Sequence, residues 1–144
     1  MSISETTQDD KMTACFAEAK VIALVGASPK DVRPSYQVMD YLLTQGFTVI
    51  PVNPGMAGQE ILGQHCYAQL ADIPHNIDIV DVFRQSEACL PLANEAIAVN
   101  AKCFWMQIGV INEAARQLAE TAGLTVVEDK CTKIEHERLF AKRA

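Results

Sequence analysis

The residues best suited to chemistry fall in a few short blocks. In the first, an apolar run stops at Gly26 and continues as Ala27-Ser28, with Arg33 and Ser35 a little further on. Glycine at a strand end permits close backbone approach and a positive φ. A helix that follows such a loop presents unpaired N–H groups and the positive end of its dipole, a combination that binds anions. Arg33 and Ser35 would add donors to a phosphate. A plain strand-to-helix turn uses the same residues. The second block, Val52-Asn53-Pro54, is an end-of-strand corner in which Pro54 fixes the turn and removes a donor. It suits either a structural turn or a contact with adenosine. The third, Asp81-Val82-Phe83-Arg84, brings Arg84 to a strand end, where a guanidinium can pair with phosphate or stack on a base. Phe83 would then supply a flat apolar wall; the plain alternative is a core Phe83 and a solvated Arg84. In the fourth, Trp105-Met106-Gln107-Ile108-Gly109-Val110, Gln107 can donate or accept hydrogen bonds and Gly109 again allows backbone approach. Trp105 reads as a core residue.

What is missing narrows the ligand. There is no G-x-G-x-x-G, and the second strand ends in Asn53 where an NAD site would carry a ribose-binding Asp or Glu. A carboxylate there would repel a phosphorylated ribose, whereas an amide tolerates one. Cys131 stands between Lys130 and Lys133 at the start of a helix, a setting that lowers a thiol's pKa, so a reactive thiolate is the alternative to quiet packing. The five cysteines have no C-x-x-C spacing, which argues against zinc and against a disulfide framework. His65, His75 and His136 are scattered, and Cys131 with His136 would still lack two ligands, so no metal is expected. Gly26-Ala27-Ser28 is not a nucleophile elbow.

These blocks need a scaffold, and the hydrophobic pattern supplies one. Residues 21–25 form a continuous apolar run that must be covered on both faces, as in a parallel sheet. Val38, Met39, Leu42 and Leu43 recur at one-turn spacing and predict a helix over 35–45, stopped by Gly46. Further strands are expected at 47–52, 77–83, 102–106 and 124–127. Further helices are expected at 86–100, capped by Ser86, and after Asn112 up to Gly123. Residues 56–76 read as irregular, with a short helical piece at 67–71. A first helix is expected over 11–19. Thr132-Lys133-Ile134-Glu135 has the form of a capping box and predicts a last helix over 133–142. Alternating strands and helices imply an α/β, three-layer, doubly wound parallel sheet of about five strands. The order read from the pattern is 3-2-1-4-5, with the ligand crevice between the first and fourth strands, where the loops beginning at Gly26 and Gln107 would meet.

With 144 residues, the chain has the length of one domain, here residues 19–144 with an N-terminal helical extension over 1–18. Lys plus Arg is 12 against 18 Asp plus Glu, a net charge of −6, which disfavours a nucleic-acid binder while leaving room for a small anion in a local pocket. No apolar run reaches the ~18–20 residues of a membrane span. The polar start, with Glu5, Asp9 and Asp10, is unlike a secretory signal, so the expected compartment is the cytoplasm.

Taken together, Val25-Gly26-Ala27-Ser28, Arg33, Pro51-Val52-Asn53-Pro54, Gly63, Asp81-Val82-Phe83-Arg84, Trp105-Met106-Gln107-Ile108-Gly109 and Cys131 resemble the small stand-alone CoA-binding proteins. These are similar to the CoA-binding domain of the succinyl-CoA synthetase alpha subunit. The resemblance covers residues 19–139. It implies a Rossmann-like fold with coenzyme A above the sheet. On that analogy Gly26, Ala27, Ser28 and Arg33 would hold pyrophosphate. Val52, Asn53, Pro54, Phe83 and Arg84 would surround the 3′-phosphoadenosine, and Gln107 and Gly109 would line the path of the pantetheine arm. The synthetase's phosphorylated-histidine domain has no counterpart, so ligase activity is not implied. The expectation is a module that binds CoA or acyl-CoA without catalysis. The alternatives are a CoA-dependent or thiol-redox enzyme using Cys131, or a module for another nucleotide such as NAD.

Overall fold

The computed structural model describes residues 7–140. Helix α1 (Gln8–Glu18) is capped by Thr7, whose hydroxyl accepts the Asp10 N–H at 3.0 Å. Then follow β1 (Val21–Val25), α2 (Pro34–Thr44), β2 (Thr48–Val52), the short strands β3 (Glu60–Ile61) and β4 (Gln64–His65), and β5 (Ile79–Val82). The chain continues through α3 (Cys89–Ala98), β6 (Cys103–Met106), α4 (Glu113–Thr121), β7 (Thr125–Val127) and α5 (Thr132–Leu139). Among the described residues no helix is long and apolar enough to cross a membrane.

The main sheet is parallel, with order β2-β1-β5-β6-β7. The α/β, doubly wound architecture is the expected one, but the expected order is corrected. The third of its five strands, β5, lies beside β1 and not outside β2. Two features of the chain account for this. Pro51 sits inside β2 and has no N–H to give a second neighbour, which confines that strand to an edge. All of β5 is buried, which requires strands on both sides. The free flank of β2 is closed at its end by Tyr67, whose N–H reaches the Pro51 carbonyl at 3.1 Å and whose carbonyl takes the Asn53 N–H at 2.9 Å. Because β5 follows β2 in sequence but crosses to the far side of β1, the point where the winding reverses lies between β1 and β5.

Side chains alternate across the strands and build two apolar layers. Ala23, Val25, Ile50, Val80, Val82, Phe104 and Val126 pack under α3 and α4. Ile22, Leu24, Val49, Ile79, Trp105 and Val127 pack against α1, α2 and α5. Trp105 is fully buried, lies 5.1 Å from the Phe16 ring and donates its indole N–H to the Lys130 carbonyl at 2.9 Å. In that second layer Tyr41 and His136 share a 2.7 Å hydrogen bond among Phe16, Phe47 and Phe140.

Three local expectations change. Residues 56–76 contain the β3–β4 hairpin, turned by Leu62 and Gly63, both at positive φ. Ser86 does not cap α3: its hydroxyl accepts the Ile111 N–H at 3.0 Å and so ties the 107–112 loop down. Thr132 is not a helix cap either. It is the first residue of α5, and its hydroxyl turns inward to the Asp81 carboxylate, while Glu135 pairs with Arg138. Asn112 does cap α4, accepting the Ala115 N–H at 2.9 Å. The expected end of the last helix at 142, and the first part of the N-terminal extension, lie outside the described residues.

Candidate functional site

An open cleft of about 720 Å³ lies at the carboxyl edge of the sheet, where β1, β2 and β5 end. Its floor depends on Gly26. This residue has φ +90°, and a Cβ there would sit 2.9 Å from the Phe83 carbonyl carbon and closer still to its oxygen. The loops after β1 and β5 can therefore touch only through a glycine. The Gly26 and Ala27 N–H groups both point at the Val52 carbonyl, at 2.9 and 3.3 Å, which draws the end of β2 into the same corner.

Asn53 completes the frame. Its side-chain amide donates to the Ala27 carbonyl at 2.8 Å, and its amide oxygen accepts the Gly55 N–H at 2.9 Å. The loop that descends to α2 is shaped by Ser28, whose hydroxyl accepts the Lys30 N–H at 3.1 Å. Helix α2 then opens at the cleft with Pro34 in its first turn and no side-chain cap, so its dipole and remaining orphan donors face the opening.

The walls bring Lys30, Arg33 and Arg84 together with Phe83, Pro54 and Gly55. Among the described residues, the ion pairs engage Lys102, Arg116 and Arg138, and none of the three cleft cations takes part in one. In a chain of net charge −6, three basic side chains without carboxylate partners converge on one helix N-terminus. Such a place attracts a compact polyanion.

Of the residues singled out in the sequence, Gly26, Ala27, Ser28, Arg33, Ser35, Asn53, Pro54, Phe83 and Arg84 line this cleft. Three of them are engaged within the frame itself. The Gly26 and Ala27 amides are spent on Val52, and the Asn53 side chain is spent on backbone, so these residues shape the cleft and the cations face it. Val52 lies behind the wall, 3% exposed, contributing only its carbonyl. Lys30, Pro34 and Gly55 were not singled out. The signal for Lys30 was its place in the same glycine-to-helix loop as Arg33.

Gln107 and Gly109 are elsewhere. With β5 next to β1, the loop after β6 is one strand removed from the crevice. Gln107 is 4% exposed and donates to the Asp81 carboxylate and to the Thr132 hydroxyl, the latter at 3.1 Å. Thr132 donates to the other Asp81 oxygen at 2.8 Å. Burial pushes the Asp81 carboxyl up to about 7, against the pull of these two bonds. The Gly109 N–H is held by Asp129 at 2.7 Å. Cys131 is buried beside this group. Burial raises its thiol pKa and outweighs the N–H groups of Ile134 and Lys133 at the helix start, which favours the quiet packing role over the reactive-thiolate alternative. Among the described residues no group of three or more His, Cys, Asp or Glu is placed to hold a metal.

Comparison with known proteins places this geometry in company. A family model described as a CoA binding domain matches residues 20–137. An uncharacterized protein, YneT, of Bacillus subtilis (strain 168) is 40% identical over 118 residues, covering 82% of this chain and 86% of its own. A solved hypothetical protein from Pyrococcus horikoshii OT3 superposes with a TM-score of 0.88 at 41% identity, over 95% of this chain and 94% of that one. An ADP-forming acetate–CoA ligase of Archaeoglobus fulgidus is 40% identical over 60 residues, which is 42% of this chain and 8% of the ligase.

Proposed function

The chain belongs to the CoA-binding domain family, and we propose that it binds coenzyme A or an acyl-CoA in the cleft between β1, β2 and β5, as a binding module without catalysis of its own. One observation carries the reading: Lys30, Arg33 and Arg84 line a single cleft at the uncapped start of α2 and are paired with no carboxylate among the described residues. Coenzyme A carries a pyrophosphate and a separate ribose phosphate, a charge load that suits several converging cations better than one. The residues present fit such a group. The cleft lining offers basic side chains, hydroxyls from Ser28 and Ser35, and the Phe83 ring against which a base can lie. Among the described residues the lining has no carboxylate, imidazole or thiol that could move a proton, which favours holding a ligand over transforming it.

Isothermal calorimetry on the full chain tests this reading. CoA is expected to bind more tightly than dephospho-CoA, and dephospho-CoA at least as tightly as NAD. Equal affinity for all three, or no heat with any, overturns it.

A further inference from the structure

The opposite edge of the sheet holds a feature with no part in that cleft. Cys103 opens β6, and Cys15 lies on the buried face of α1 between Met12 and Phe16. Their sulfurs are 2.8 Å apart, the Cys103 S–H pointing at the Cys15 sulfur, although the residues are 88 positions apart in sequence. The other cysteines are arranged differently. Cys66 and Cys89 point their thiols at backbone carbonyls, Cys131 stands immediately before α5, and among the described residues none of the three is hydrogen-bonded to another cysteine.

Cys15 and Cys103 also border a crevice of about 170 Å³, shared with Ala14, Glu18, Asp78, Lys102 and Thr125. Each is only 5–6% exposed, so a small reagent can reach the sulfurs from this crevice while a protein cannot. We propose that Cys15 and Cys103 are a redox modification site: hydrogen peroxide converts them to an intramolecular disulfide that staples α1 to the amino edge of the sheet, and a small dithiol reverses it.

The surroundings assign the roles. The S–H of Cys103 and the ammonium of Lys11 favour the thiolate at Cys15, whose pKa is lowered. Cys103, as the donor of that bond and a desolvated group beside Asp78, is raised and keeps its proton. The Cys15 thiolate therefore attacks one peroxide oxygen. An S–O bond forms, the O–O bond breaks, and the departing hydroxide takes up the proton that Cys15 released, leaving as water. The Cys103 sulfur then attacks the Cys15 sulfenic acid. The S–S bond forms, the S–O bond breaks, and hydroxide leaves with the Cys103 proton as a second water. Two thiols lose two electrons and two protons, and one peroxide becomes two waters. The two sulfurs are already in contact, at 2.8 Å.

The test uses the purified full chain treated with hydrogen peroxide, blocked with an alkylating reagent and mapped by mass spectrometry. The expected product has lost two hydrogens, links the peptides of Cys15 and Cys103, and leaves the remaining cysteines alkylated. Its melting temperature rises by about 10 °C, because a cross-link between distant residues restricts the unfolded chain. Dithiothreitol restores the starting value. CoA affinity stays unchanged, since the staple lies at the edge opposite the cleft, so this result is read separately from the ligand test.

Cys103→Ala should abolish both the link and the thermal shift. A link between any other pair, oxidation of Cys15 to sulfinic acid without a link, or both cysteines remaining alkylatable at peroxide levels that oxidise the unfolded chain overturns the proposal. Mapping of the unsubstituted protein decides the matter even if the variant fails to fold.

Discussion

The carboxyl edge of the sheet has two halves built from similar residues and put to different use. On one side, the ends of β1, β2 and β5 border an open cleft in which Lys30, Arg33 and Arg84 have no anionic partner among the described residues. On the other, the first turn of α5 and the loop after β6 close over β5 and β6. There the Asp81 carboxylate is fully buried and answered by Gln107 and Thr132. The difference lies in what covers the strand ends. Both α5 and α2 begin at this edge, but the first turn of α5 lies over the strand ends, and its Thr132 hydroxyl donates to the carboxylate that burial would otherwise leave unsatisfied. The start of α2 borders open space and turns its own donors toward it. Polar residues in the two halves are therefore under opposite demands: internal satisfaction in one, availability in the other.

Gly26→Ala should produce the largest effect, because it strikes the contact that both halves share. The added methyl meets the Phe83 backbone at a φ of +90°. A loss on the order of 3 kcal/mol in urea-unfolding stability is expected, along with loss of CoA binding. A variant of normal stability and affinity would mean that the β1 and β5 loops do not need their close approach.

Next in size is Gln107→Leu, which leaves one buried Asp81 oxygen without its donor. Stability should fall by about 2 kcal/mol, while CoA affinity measured by calorimetry should stay within about twofold, since residues outside a binding site change affinity little. The reverse pattern, weakened CoA with stability intact, would return Gln107 to the ligand path and erase the distinction between the halves.

Arg33→Ala and Arg84→Ala should show the mirror image. Each is expected to weaken CoA binding by about tenfold, the worth of one charge-assisted hydrogen bond. Stability should move by no more than about 0.5 kcal/mol, as for other exposed side chains. Binding that is indifferent to both would remove the cations from their assigned part.

The last effect is a slope, read against pH. A carboxyl raised to about 7 by burial binds its proton more tightly in the folded chain than in the unfolded one. Its contribution to stability is therefore fully present below the unfolded value of about 3.9 and is lost as pH rises through about 7. His136, lowered by burial, acts with the opposite sign: its contribution is present above its unfolded value of about 6.5 and is lost as pH falls from there through the lowered folded value. The informative quantity is accordingly the stability of the wild type minus that of Asp81→Asn at each pH. That difference should decline between about pH 4 and 7. A flat difference would mean that Asp81 is not desolvated as its position implies.

Much of this was legible in the chain. The apolar run ending at Gly26 marked a buried parallel strand and the turn beside the cleft; Arg33 was recognisable as a residue where the next helix begins, and Phe83 and Arg84 as residues at a strand end. Asn112 was recognisable as a cap because a cap bonds only three residues ahead. Thr132-Lys133-Ile134-Glu135 met the same local criterion and failed it, since a buried carboxylate from β5 competed for the hydroxyl and won. No local pattern announces such a competitor. Part of the strand order was also written in the chain: Pro51 marks β2 as an edge, because it has no N–H for a second neighbour.

The division follows the range of the forces. Side-chain periodicity, glycine and proline conformation and capping act over a few residues, so the sequence alone determined the α/β alternation, the element positions and the glycine-to-helix loop of a CoA-binding domain. Which strand pairs with which edge depends on closing long crossovers, and only the folded chain decided it. That decision carried the rest with it. Setting β5 beside β1 brought Arg84 to Arg33 and Lys30, removed Gln107 from the crevice to serve Asp81, and left Cys103 at the sheet's amino edge, where α1 lays Cys15 against it.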